Sequence, residues 1–109
     1  MVTEIQMRLL VDTIVKEFNP NRIVLFGSYA VNKQTKDSDV DLIVVIDTDL
    51  KKGERKNRVC SLNLLTATDE LLFPKDLLIY SEKEFQKLKN NSDSFLHGAL
   101  KQSRNLYVR

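Results

Sequence analysis

The chain has 109 residues, 42% of them hydrophobic and 29% charged, which leaves room for one domain (residues 1–109) and excludes disordered and fibrous classes. Its net charge of +2 excludes a nucleic-acid binder held by a strong basic field, so no direct nucleic-acid binding is expected; a local basic rim around an anionic ligand remains compatible. The single Cys60 cannot form an internal disulfide, no apolar run approaches the roughly 20 residues needed to cross a bilayer, and the N-terminus shows no signal-peptide pattern, so a cytoplasmic protein without membrane contact is expected.

The chain opens on an amphipathic helix. Thr3 can cap it, Met7, Leu10, Ile14 and Phe18 recur at three- and four-residue intervals, and Asn19-Pro20-Asn21 ends it. Its apolar stripe reads as core. A first strand follows at Arg22 to Phe26 and delivers the chain to Gly27, where glycine permits close approach of a ligand. Ser28 caps the next turn and offers a hydroxyl, and a short helix from Ser28 to Val31 would aim its free N–H groups at an anion in front of the strand end.

Asn32 to Ser38 is a polar loop, and Ser38-Asp39-Val40-Asp41 leads into a second apolar strand, Leu42 to Ile46. Strand side chains alternate with period 2, so Asp39 and Asp41 share one face, where two like charges repel unless a cation lies between them. A calcium loop over Asp37, Asp39 and Asp41 would need Gly at position 42 and Glu at position 48; the chain has Leu42 and Thr48. A P-loop is excluded because Gly27, Gly53 and Gly98 are the only glycines.

The next helix is predicted from Glu54 to Leu72, with Val59, Leu62 and Leu65 near one stripe and Leu64, Leu71 and Leu72 widening it. Cys60 reads as a small buried residue within it. Lys51, Lys52, Arg55, Lys56 and Arg58 crowd its start, the unfavourable end of the dipole for cations, which hints at an anion nearby against the commoner reading of a solvated face. Lys75 to Tyr80 forms a third strand with Asp76 at its head, which read alone is an exposed strand-edge charge. Ser81 caps a helix from Glu82 to about Lys89, and a last helix from about Ser94 to Gln102 carries Phe95, Leu96, Ala99 and Leu100. His97 on that helix reads as surface or satisfied, and Leu106-Tyr107-Val108 is a candidate terminal strand.

The order α-β-α-β-α-β-α reads as a single α/β (α+β) domain with a small sheet of about three strands. Ser28, the Asp39 and Asp41 pair, and Asp76 then fall toward one edge of the sheet, where ligands lie in such folds.

Gly27-Ser28, ten intervening residues, Asp39-x-Asp41 before an apolar strand, and an acid heading a third strand form a combined motif, F-G-S-Y-A followed by D-S-D-V-D-L-I-V-V. It resembles the minimal nucleotidyltransferases of the DNA polymerase beta-like superfamily over almost the whole chain, which implies that the small sheet is mixed. The family's usual Arg-Gly after G-S-x-A is Val31-Asn32 here, and Asn can take the left-handed conformation that Gly would supply. The resemblance implies that Asp39 and Asp41 bind Mg²⁺ with the triphosphate of ATP, that a second Mg²⁺ is shared with Asp76, and that Gly27 and Ser28 hold the β- and γ-phosphates. Small members resemble antitoxins whose partner is a helical HEPN-domain toxin, which implies transfer of AMP to a tyrosine hydroxyl of that partner. The alternatives are a small-molecule acceptor such as an aminoglycoside, and a non-catalytic module that inhibits its partner by contact alone.

Overall fold

Thr3 starts the first helix in the computed structural model, which describes residues 1–109. Its hydroxyl accepts the Gln6 N–H at 3.1 Å and the Gln6 side chain accepts the Thr3 N–H at 2.9 Å, a reciprocal capping box. The helix, α1 (Glu4–Phe18), ends where Asn19 turns left-handed (φ 43°) and donates its N–H to the Val15 carbonyl.

Four strands follow: β1 (Arg22–Phe26), β2 (Val40–Ile46), β3 (Lys75–Ser81) and β4 (Arg104–Val108), in sheet order β3-β2-β1-β4. The β1 strand is antiparallel to both β2 and β4, whereas β2 and β3 run parallel, so the sheet is mixed as the resemblance implies. The terminal segment around Leu106 raises the count from about three strands to four. Three longer helices complete the fold, α2 (Glu54–Leu65), α3 (Glu82–Lys89) and α4 (Phe95–Leu100), along with one-turn 3₁₀ helices at Ser28–Val31 and Asp69–Leu71.

Strand alternation decides the layers. Ile23 and Leu25 of β1, Val40, Leu42, Val44 and Ile46 of β2, and Leu77 and Ile79 of β3 pack with Leu10, Ile14 and Leu62 of α1 and α2. The intervening Val24, Phe26, Ile43 and Val45 face Phe85 of α3 and Leu96 of α4. A sheet buried on both faces explains why β1 and β2 read as continuous apolar runs. Arg55 of α2 then ties the β3 edge, donating to the Ile79 carbonyl at 2.9 Å, pairing with Glu84 and lying over the Tyr80 ring. Arg58 pairs with Glu54 one turn away. These two arginines of the basic cluster therefore serve packing rather than an anion.

Three expectations are corrected. The helix predicted through Leu72 stops at Leu65, where the buried Thr66 turns its hydroxyl back onto the Leu62 carbonyl at 2.9 Å. A separate turn carries Leu71 into the core, while Leu64 and Leu72 stay in solvent rather than widening an apolar face. Cys60 is exposed, not buried. The last helix ends at Leu100, short of Gln102, and Phe95 at its start faces outward. His97 is satisfied, with Nδ1 2.8 Å from the Lys89 carbonyl.

Ser81 joins two elements at once. It closes the β2–β3 register opposite Ile46 and caps α3, with its hydroxyl accepting the Glu84 N–H at 3.1 Å and its own N–H donated to the Glu84 carboxylate at 3.0 Å. Burial pushes the Glu84 carboxyl up, but the Ser81 N–H and the Arg55 guanidinium outweigh it and hold the group below its ordinary range. Ser81→Ala is expected to cost about 1–2 kcal/mol in urea unfolding, because a nearly fully buried cap is lost. A change below about 0.3 kcal/mol would show that the cap does not hold this junction.

Candidate active site

The antiparallel register sets Phe26, the last residue of β1, opposite Asp41. The parallel register sets Asp41 beside Asp76. Adjacent strands lie about 4.8 Å apart, so the two carboxylates start from neighbouring backbone positions on the face that α3 and α4 cover. Asp39 stands one residue before β2 and is exposed. The three acids of the sequence motif thus come from two strand heads at the same end of the sheet.

Gly27 follows Phe26 with φ 75° and ψ −159°, a backbone state that other residues rarely adopt. A Cβ placed there would lie 2.2 Å from Asp41 Oδ2. The glycine is therefore demanded twice, by the turn and by the carboxylate seated against it. Gly27, rather than Ser28, occupies the capping position of the 3₁₀ turn, and Ser28 is its first residue. The Ser28 side chain makes no cap hydrogen bond, contrary to the expected role. Its carbonyl instead receives the Lys33 N–H at 3.0 Å, and Asn32 closes the turn in the left-handed state (φ 57°) that the Val31-Asn32 departure called for.

Burial pushes the Asp41 carboxyl above its ordinary range, and the charges of Asp76 and then Asp39 push it further. That is what unneutralised like charges gathered at one point do, and a cation is what would relieve it. The donors are hard carboxylate oxygens suited to Mg²⁺. They do not close by themselves into a three-ligand cage. This fits the way Mg²⁺ is commonly held, by one or two carboxylates with substrate phosphates supplying the rest.

Residues 9–109 match the family model described as polymerase beta, nucleotidyltransferase. The chain belongs to this nucleotidyltransferase family. Two solved structures share its fold. One is a protein from Sulfolobus solfataricus assigned as a nucleotidyltransferase, 16% identical, with a TM-score of 0.63 over 95% of this chain and 78% of the other. The second is a toxin-antitoxin structure with AMP-PNP, 21% identical, with a TM-score of 0.56 over 93% of this chain and 73% of the other. No curated protein matches the chain in sequence.

In this nucleotidyltransferase a cleft of about 610 Å³ opens beside Gly27 and Ser28, walled on the far side by α4. Lys33 and Phe95 line it, and neither stands out in the sequence as a site residue. The signal for Phe95 was hidden because its spacing with Ala99 is also that of a core stripe. Of the basic cluster around Arg55, no residue lines this cleft. No helix is long and apolar enough to cross a membrane.

Two outcomes follow from Gly27 and Asp41. Gly27→Ala is expected to cost at least about 1–2 kcal/mol from the backbone conformation alone, plus the clash with the carboxylate. In an Asp41→Ala background only the backbone part should remain, so a double-mutant cycle by urea unfolding reads the contact directly; equal costs in the two backgrounds would disprove it. The second concerns pH. A carboxyl raised above 3.8 binds protons in the folded chain that the unfolded chain has already released, so stability falls as pH rises through that window and stays lowered at neutral pH. Asp41→Asn should therefore raise Tm at pH 7, and the gap should shrink as pH falls toward 4. A gap that grows on acidification would contradict the assignment.

Proposed function

We propose that this nucleotidyltransferase transfers AMP from ATP to a hydroxyl of a partner protein, a tyrosine of a HEPN-type toxin, and so acts as an antitoxin. The observation that carries the reading is the Asp41 carboxylate, seated against Gly27 and beside Asp76 at one strand end, with a cleft opening next to Gly27 and Ser28. The solved structure described as a toxin-antitoxin with AMP-PNP supports both the adenine nucleotide and the kind of partner.

Asp39 and Asp41 would hold Mg²⁺ together with the triphosphate, and Asp76 would share a second ion. The chemistry Mg²⁺ supplies when bound is neutralisation of the phosphate charge and a lowered pKa for the attacking hydroxyl. The chain's own residues do the positioning. The bare backbone at Gly27 lets the Asp41 carboxylate seat against the turn, and the Ser28 hydroxyl, not committed to a cap, is free to donate to phosphate oxygens. Asp76 is exposed at the strand head beside Asp41, where it can take the proton of an entering hydroxyl. The hydroxyl oxygen bonds to the α-phosphorus in line with the leaving oxygen, the bond to the β-phosphate oxygen breaks, and pyrophosphate leaves with the electron pair.

Purified protein, Mg²⁺, labelled ATP and the product of an adjacent HEPN-type gene test the reading. The partner should gain the mass of one or more AMP groups when the nucleotidyltransferase is present at a small fraction of one equivalent. Asp39→Asn and Asp41→Asn should lower transfer by 10²-fold or more, while Asp76→Ala should lose turnover and keep most of its affinity for a non-hydrolysable ATP analogue. Neutralisation that needs a full equivalent, proceeds without nucleotide and survives Asp41→Asn would establish a contact inhibitor instead.

A further inference from the structure

Phe95 is the one large hydrophobic side chain of the cleft that remains mostly in solvent, at 62% exposure. An exposed phenylalanine is commonly a flexible surface residue, but this one is held. Its ring meets the Phe26 ring edge to face, with centroids 5.8 Å apart and an interplanar angle of 79°. Phe26 is itself nearly buried in the core beneath α3 and α4 and immediately precedes Gly27. The exposed aromatic is thus fixed at the same strand end that carries Gly27 and Asp41.

The wall around it is shaped to leave space. Phe95, Gly98, Ala99 and Gln102 recur at i, i+3, i+4 and i+7, so they form one stripe along α4 and the turn after it, and all four line the cleft. Next to the aromatic, that stripe carries glycine and alanine. A Cβ added at Gly98 would meet no atom within 4 Å, so the space in front of it is open. Gln102 and, from the opposite wall, Lys33 supply the polar rim. A flat aromatic face beside small residues, in a cleft that also reaches the Gly27-Ser28 turn, has the form of a stacking platform for a nucleobase.

We propose that Phe95 stacks on the base of the donor nucleotide, with the base lying over Gly98 and Ala99 and the triphosphate running back to Gly27 and Ser28. This rests on the nucleotidyltransferase reading of the site and adds the seat of the base, which the acidic motif leaves unspecified. The stacked face favours the larger purine ring system over a pyrimidine. It also makes α4 a binding element for the nucleotide, not only a cover for the sheet.

The chain contains no tryptophan, so Phe95→Trp places a single reporter in the cleft. With Mg²⁺, a non-hydrolysable ATP analogue should quench its fluorescence at saturation, whereas inorganic tripolyphosphate, which has no base, should bind without quenching. By calorimetry, Phe95→Ala should weaken the analogue about tenfold or more and leave the tripolyphosphate Kd unchanged. Gly98→Leu supplies an independent variant: it fills the open space, should not lower Tm, and should also weaken the analogue about tenfold or more without affecting tripolyphosphate. The proposal is overturned if Phe95→Ala and Gly98→Leu keep the wild-type analogue affinity, or if the tryptophan stays silent while calorimetry registers binding. If wild-type protein binds neither the analogue nor tripolyphosphate, the nucleotide reading of the whole site fails, and this proposal with it. That result is distinct from base-specific failure, in which tripolyphosphate still binds.

Discussion

Phe26 lies opposite Asp41, and Asp41 lies beside Asp76; the acidic end of this domain depends on those two registers. Strand side chains alternate, so a slip of one residue between β1 and β2 would turn Asp41 away from the face it shares with Phe26 and bring an apolar neighbour in its place. The register is held by burial on both faces. Leu42, Val44 and Ile46 are committed to the α1 and α2 layer, and Ile43 and Val45 to the α3 and α4 layer, so no alternative pairing keeps all five out of water. Gly27 then accommodates this register, since its missing side chain is where the Asp41 carboxylate sits.

The electrostatics of the fold divide into two kinds. Away from the strand heads, partly buried charges are matched: Arg22 pairs with Glu82, and Arg55 pairs with Glu84 while covering Tyr80. Their carboxyl groups are held low. At the strand heads the balance runs the other way, with Asp41 raised by burial and by two neighbouring acids. The stability cost is local and falls on the carboxylate seated against Gly27. Functional sites are where such unfavourable groupings of charge concentrate, because the ligand supplies the missing counter-charge.

The two helical layers also differ in what they do. On one face α1 and α2 supply a closed apolar cover, with Leu10, Ile14 and Leu62 fully buried. On the other, the six-residue α4 covers only part of the sheet end, and the shortfall is the cleft beside Gly27. Ser94 caps this short helix through the His97 N–H, and the His97 ring reaches the Lys89 carbonyl, so the cleft wall is anchored to α3. A helix this short draws its stability from such tertiary contacts rather than from propensity.

The sequence by itself determined the features that depend on near neighbours. The limits of α1 and α3 follow from Thr3 and Ser81 with their reciprocal caps, the first two strands from β-branched runs, and the left-handed turn end from Asn32. The family was legible too, because Gly27-Ser28 and Asp39-x-Asp41 lie close enough in sequence to be seen as one pattern. What the tertiary structure decided depends on distant residues. The placement of Asp76 beside Asp41 needed the parallel pairing of strands separated by a helix, and the clash that makes Gly27 obligatory needed the antiparallel one. Helix α2 ended at Leu65, where Thr66 took a backbone bond that apolar periodicity does not report. Phe95 turned to the cleft instead of the core for a similar reason: periodicity marks which residues share a stripe, while only packing decides what the stripe faces.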